Sequence, residues 1–155
     1  MFKISSKASI TLSLIFSAGF FVLLAFGAAV MPSVVEYFLD FFQITRMENQ
    51  LCGSFLILSI AYSILAVALL ADILLFLLLL RIRSNLIFTD ASVTLIRGVS
   101  WCCFLLGILL GGLVYYFPII LIAAFAAVFL GLCLRVVKNV MEEATRIKTE
   151  NDFTV

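Results

Sequence analysis

The side chain that is the best candidate for a chemical role is Asp72, the only charged residue within the apolar stretch 51–80. A charge in an apolar, membrane-like environment is costly and is by default a functional hypothesis. Two interpretations are open. Asp72 is either a structural carboxylate that accepts hydrogen bonds near Lys7, Arg97 or Arg135, or a site that carries a proton or a cation.

Few other residues suggest catalysis. Histidine is absent, which removes the commonest general base and metal ligand. The sequence contains no GxSxG, HExxH, Walker loop or metal-ligand cluster. Its four cysteines form no CxxC motif, and Cys102 and Cys103 would project about 100° apart on a helix. We interpret them as apolar fillers rather than redox or lipid-modified residues, and we predict no enzyme activity, no cofactor and no metal site.

The composition indicates an integral membrane protein. The chain has 155 residues, of which 65% are hydrophobic and 12% charged, and its mean hydropathy is +1.29. A soluble domain is about 45–50% apolar and roughly 25% charged, so this excess cannot be hidden in a water-soluble core. The net charge of +1 provides no field that attracts nucleic acid, and no direct nucleic-acid binding is expected.

The apolar segments predict four membrane crossings in one domain, 1–155. Residues 98–134 carry no charge, and as one helix they would extend about 55 Å, nearly twice the thickness of the hydrocarbon. This stretch must fold back at YYFP, 115–118, because proline disfavours helix in the residue before it. The fold class is therefore an all-α four-helix membrane bundle with crossings at about 8–31, 51–73, 98–116 and 119–138.

Lysine and arginine predict the orientation, because cytoplasmic loops carry the excess of these residues. One side of the membrane would hold Lys3, Lys7, Arg81, Arg83, Arg97, Arg135, Lys138, Arg146 and Lys148. The other side would hold only Arg46, together with Glu36, Asp40 and Glu48. Both termini are therefore predicted to be cytoplasmic. Arg81, Arg83 and Arg97 are expected to bind anionic lipid headgroups.

The segment that follows the first crossing predicts a short helix in the outer interface. Ser33 and Glu36 fit a capping box behind Pro32. Apolar residues then recur at helical spacing, namely Val34, Val35, Phe38, Phe41 and Phe42. This face is either a structural lid over the bundle or a receptor surface for an apolar ligand or peptide.

Small residues predict close helix packing. Gly107 and Gly111 are four residues apart on the third crossing, and Ala123, Ala127 and Gly131 form a stripe on the fourth. Such spacing lets helix backbones approach each other where lipid provides no hydrophobic drive. The contact lies either within the monomer or between the copies of a homodimer. On the inner loop, Thr89 or Asp90 is predicted to cap a helix that runs into the third crossing.

The tail, 134–155, predicts an amphipathic helix that continues the fourth crossing into the cytoplasm. Its apolar residues recur at positions i, i+3, i+4 and i+7, namely Val137, Val140, Met141, Ala144 and Ile147. This face must be buried, either on the protein's own inner loop or against a partner protein.

Two segments resemble the YoaS-like bacterial membrane proteins, a family of unknown function. Phe88-Thr89-Asp90, followed by a helix that ends in Trp101, is similar to that family's inner-loop pattern. The closing residues 150–155 are similar to its Glu-Asn-Asp/Glu-Leu-Thr-Val ending, with Phe153 where leucine is usual and, earlier, Met141 where phenylalanine is usual.

The resemblance implies a multi-pass protein of the bacterial cytoplasmic (inner) membrane without an established activity. Members of the family are often encoded beside a small Cro/CI-type helix-turn-helix regulator. The expected function is therefore a non-enzymatic sensor or membrane anchor that binds such a cytoplasmic regulator. The partner-binding residues would be Val137, Val140, Met141, Ala144, Ile147, Glu150, Asn151, Asp152 and Phe153. The alternative is a small transporter or permeation protein that uses Asp72.

Overall fold

The computed structural model describes residues 6–41, 50–84 and 89–152, and it describes side chains at 8–40, 55–84 and 89–150. These ranges contain four α-helices and no strand: α1 (Ser6–Phe41), α2 (Gln50–Arg83), α3 (Asp90–Leu113) and α4 (Ile120–Asp152). Each helix is long and apolar enough to cross a membrane. The prediction of an all-α membrane protein with four potential crossings is confirmed.

Each helix extends beyond its predicted crossing at one end or both, although α3 stops at Leu113, short of the predicted residue 116. α1 continues through Pro32 to Phe41, so Ser33 does not begin a separate helix there. Proline usually breaks a helix interior, but an interrupted helix would leave backbone polar groups unpaired in lipid, and this favours continuation. Val34, Val35 and Phe38 therefore belong to α1. The side chains of Phe41 and Phe42 lie outside the described residues.

The start of α3 and the turn after it agree with the sequence. Thr89 is the N-cap: its backbone is extended, with φ −139° and ψ 147°, and its Oγ1 accepts a hydrogen bond from the backbone N–H of Ser92 at 3.4 Å. At the other end, α3 stops at Leu113 and α4 begins at Ile120. The chain thus folds back at the predicted YYFP segment.

Close backbone contacts join only consecutive helices within the described residues: α1 with α2, α2 with α3, and most extensively α3 with α4. The far end of α1 meets the turn between α3 and α4. Val35 is buried there beside Ile57, Leu113 and Phe117, and the rings of Phe38 and Phe117 are 5.9 Å apart. This cluster lies at the end of the bundle opposite Ser6 and Asp152.

Glycine determines how closely α3 and α4 approach. A Cβ atom at Gly107 would lie 2.5 Å from Cγ2 of Val128, and one at Gly131 would lie 3.3 Å from Cβ of Cys103. A Cβ atom at Gly111 would meet nothing within 4 Å. Ala124 is buried, whereas the neighbouring Ala123 is exposed and Ala127 is half-buried. The predicted stripes are therefore only partly in contact, because the two helices touch along Gly107, Ala124 and Gly131.

Candidate functional sites

A buried carboxyl joins α1 to α2. Asp72 on α2 is 4% exposed, and its Oδ1 accepts a hydrogen bond of 2.7 Å from the Oγ of Ser17 on α1. Ser17 is buried as well. The second carboxyl oxygen, Oδ2, is buried and has no hydrogen-bond partner among the described residues. Within the described residues, one oxygen of this carboxyl is therefore hydrogen-bonded and the other is not, inside an apolar interface.

The depth of this pair follows from the helix rise of 1.5 Å per residue. Ser17 lies about 15 Å along α1 from Lys7 and about 28 Å from Glu36, the charged residues nearest to it on that helix. Asp72 lies about 13 Å along α2 from Arg81. The carboxyl therefore lies within the apolar span, closer to its basic end than to its acidic end.

Two of the three cationic partners suggested by the sequence are engaged elsewhere. Arg97 pairs with Glu142 on α4, with Nη2 and Oε1 3.6 Å apart. Arg135 lies over the ring of Trp101, 5.1 Å from its centroid. The side chain of Lys7 lies outside the described residues. Sequence analysis missed Ser17, and the signal that could have found it is geometric: Ser17 and Asp72 are each eleven residues from the same-side ends of two antiparallel helices.

The chemistry available at this pair is limited. The Asp72 carboxyl can bind a proton, or it can accept a further hydrogen bond at Oδ2. A dehydrated Ca²⁺ needs about six to eight oxygen ligands, whereas Mg²⁺ keeps several of its waters; the described side chains at this point provide one carboxyl and one hydroxyl. Across the described residues, no group of three or more Cys, Asp or Glu residues is arranged to hold a metal ion.

A second candidate site is the end of α4. This helix is nine residues longer than α3. Because α3 ends and α4 begins at the same turn and the two helices are antiparallel, α4 extends about 13 Å beyond the first residue of α3. Ion pairs run along its surface: Lys138 with Glu142, and Arg146 with Glu143 at 2.7 Å. The predicted continuation of the fourth crossing as a helix is confirmed as far as Asp152.

The predicted apolar face of the tail is divided. Met141 and Ala144 are half-buried, whereas Val137, Val140 and Ile147 are exposed, the latter two by 64% and 51%. Glu150 is exposed, and the side chains of Asn151, Asp152 and Phe153 lie outside the described residues. The structure thus leaves an open apolar strip along α4 that no described part of the chain covers.

The predicted lipid-binding arginines occupy different settings. Arg81 and Arg83 lie in the last turn of α2, where cations stabilise the negative end of the helix dipole. Arg97 shares Glu142 with Lys138. Sequence analysis did not include Arg135 in this set, although Arg135 is the cation that lies against Trp101.

Comparison with known proteins gives one match. A family model described as "Protein of unknown function (DUF2975)" matches residues 48–155, which include α2, α3, α4 and both segments that carry the YoaS resemblance. The expectation of a family without an assigned function agrees with this match, which does not carry the YoaS name. No curated protein and no solved structure matches the chain.

Proposed function

Because the chain belongs to the DUF2975 family, whose function is unknown, we propose a function from its geometry: a non-enzymatic membrane sensor or anchor that binds a small cytoplasmic helix-turn-helix regulator. The observation that carries this proposal is the last part of α4, a helix that extends beyond α3 and along which Val140 and Ile147 are exposed. The regulator itself comes from the family resemblance of the closing residues.

The proposal includes an orientation, with both termini in the cytoplasm and the protein in the bacterial inner membrane. Four crossings bring both chain ends to the same side. The described basic residues lie at that end of the helices, as Arg81, Arg97 and Arg146 illustrate, and an excess of basic residues is typical of the cytoplasmic side. At the opposite end α1 carries Glu36 and Asp40, and its last turns would act as an outer lid over Phe117.

The exposed strip on α4 has the spacing of a helix that binds in a groove. Such helices present apolar anchors at i, i+3, i+4 and i+7, and Val140, Ala144 and Ile147 have this spacing. The ion pairs of Arg146 with Glu143 and Glu150 lie at i,i+3 and i,i+4, the positions that stabilise a helix surface. The anchors would therefore be presented on a helix that is already formed before the regulator binds.

A charge placed on this strip tests the proposal. Ile147→Lys is expected to lower the amount of the adjacent-gene regulator that co-purifies with the full-length protein by at least tenfold. The reason is that a buried isoleucine contributes about 1.5–3 kcal/mol, and 1.4 kcal/mol corresponds to a factor of ten in affinity. The measurement is the molar ratio of regulator to membrane protein after affinity purification from detergent.

Thr149→Lys is the matched control, since it adds the same charge two residues away, at an exposed site off the apolar strip. It is expected to bind the regulator like the wild type. Equal loss in both variants would indicate a general charge effect, and full retention by Ile147→Lys would remove α4 from the mechanism.

A second function, a small transporter that uses Asp72, is favoured by one specific observation: the buried Oδ2, which has no hydrogen-bond partner in the part of the chain that the structure describes. An unsatisfied buried acceptor costs free energy, and ionisable groups inside membranes often mark proton or ion pathways. A carboxyl that alternately binds and releases a proton would use this oxygen.

This second function predicts a proton flux in liposomes reconstituted with the purified protein. Asp72→Asn is expected to reduce that flux at least tenfold, because the amide cannot exchange a proton at this position. Asp90→Asn is the control, since Asp90 is an exposed acid at the start of α3. A wild-type flux no greater than that of empty liposomes would exclude this function.

A further inference from the structure

Most basic residues of α3 and α4 have a described partner. Arg97 and Lys138 share Glu142, and Arg146 pairs with Glu143. Arg135 pairs with no carboxylate among the described residues. Its guanidinium lies instead over two aromatic rings, 5.1 Å from the centroid of Trp101 and 5.8 Å from that of Phe104.

This arrangement leaves the hydrogen-bonding capacity of Arg135 unused. A guanidinium has five N–H donors, and a contact with an aromatic ring is electrostatic and leaves these donors without a conventional acceptor. No described group accepts a hydrogen bond from Arg135. Arginine binds phosphate through two parallel charge-assisted hydrogen bonds, and Arg135 is exposed, so its guanidinium is suited to a phosphate group.

Close packing of α3 and α4 holds the cluster in place. The Oγ of Ser100 donates a buried hydrogen bond of 2.9 Å to the carbonyl oxygen of Gly131. A Cβ atom at Gly131 would lie 3.4 Å from the ring of Phe104, so this glycine lets the helices approach closely. Arg135 lies one turn after Gly131, and the approach places its guanidinium over the two rings.

The surroundings of the cluster match the boundary between headgroups and acyl chains. Trp101 is 58% exposed, and tryptophan is enriched at this level of a membrane. One and two turns further along α3, Leu105 and Ile108 are exposed, the latter about 10 Å from Trp101 along the helix. A phosphate at Arg135 would therefore be continuous with an apolar surface for the acyl chain.

We propose that Arg135, Trp101 and Phe104 form a binding site for the phosphate of an anionic phospholipid, with the acyl chain along Leu105 and Ile108. The site differs from the arginines suggested by the sequence, since it uses Arg135 rather than Arg81, Arg83 or Arg97. It goes beyond the proposed function, since it requires neither a regulator nor transport.

Trp101 is the only tryptophan in the chain, so its fluorescence reports on this site. The full-length protein is reconstituted in phosphatidylcholine vesicles in which a fixed fraction of the lipid carries brominated acyl chains. Brominated chains quench tryptophan on contact. The brominated lipid is phosphatidylglycerol in one set of vesicles and phosphatidylcholine in the other. The wild type is expected to bind phosphatidylglycerol over phosphatidylcholine with a ratio of about five, since one arginine near an anionic surface contributes on the order of 1 kcal/mol.

Arg135→Gln is expected to lower this ratio to about one, and Lys148→Gln, which removes a cation from the same helix away from Trp101, is expected to leave it unchanged. Equal quenching by the two lipids in the wild type would overturn the proposal without any variant, so a folding defect cannot hide the result. A preference that persists in Arg135→Gln, or that falls equally in Lys148→Gln, would also overturn it.

Discussion

Replacing Gly107 by leucine is expected to destabilise the protein by about 3 kcal/mol, the upper end of the usual cost of overpacking a core. Gly107 is buried in the α3–α4 interface, where even a Cβ atom would lie 2.5 Å from Cγ2 of Val128 and 3.4 Å from the backbone oxygen of Ala124. Val128 can change its rotamer, but the backbone of α4 cannot move away without separating the helices.

Gly111→Leu is the matched control. Gly111 lies one turn further along α3, and a Cβ atom there would meet nothing within 4 Å. This variant adds the same side chain at an open position, and its expected effect is below about 1 kcal/mol because surface changes are usually small. Both variants are compared by the free energy of unfolding in detergent micelles.

Val128→Ala in the Gly107→Leu background is expected to recover part of the lost stability, since it removes the nearest atom. In the wild-type background the same substitution should destabilise by leaving a cavity. Similar losses for Gly107→Leu and Gly111→Leu would contradict the contact described here, as would a double variant less stable than Gly107→Leu alone.

Replacing Ser17 by alanine is expected to cost about 1–2 kcal/mol of stability, which is large for one hydrogen bond in a membrane protein. The substitution removes the only described donor to Asp72 and leaves both of its carboxyl oxygens buried without a partner. The contact between α1 and α2 would be weakened at Asp72. The measurement is the free energy of unfolding in the same micelles.

Two comparisons isolate this interaction. Ser13→Ala removes a hydroxyl whose hydrogen bond goes to the carbonyl of Ser9 on the same helix, and it is expected to change stability by less than about 0.5 kcal/mol. Ser17→Ala in an Asp72→Leu background is expected to be nearly neutral, because the acid that needs the donor is absent. An equal cost of Ser17→Ala in both backgrounds would mean that packing, and not the hydrogen bond, is lost.

Hydropathy and charge in the sequence were sufficient for the coarse architecture. Four apolar segments predicted four helices, because a chain in lipid must satisfy its backbone hydrogen bonds within each segment. The fold-back at 115–118 followed from the length of the uncharged run, and the Thr89 cap and the continuous helix through the tail followed from local patterns. Each of these features depends on residues that are neighbours in the sequence.

Local signals failed where lipid changes the balance of energies. The capping box at Ser33 predicted a new helix, but α1 passes through Pro32 without a break. In water the freed backbone groups would bind solvent, whereas in an apolar environment the cost of exposing them favours one continuous helix. The capping-box pattern, which is typical of helices in water, therefore predicted a helix boundary at Ser33 that the structure does not contain.

The sequence by itself determined which segments are helical and which of their ends are basic. Only the tertiary structure decided that Asp72 pairs with Ser17, that Gly107 packs while Gly111 does not, and that Arg97 contacts Glu142 while Arg135 lies over Trp101. The physical reason is that helix periodicity fixes which residues share a face, whereas the rotation and vertical register of one helix against another depend on side-chain packing between segments distant in the chain.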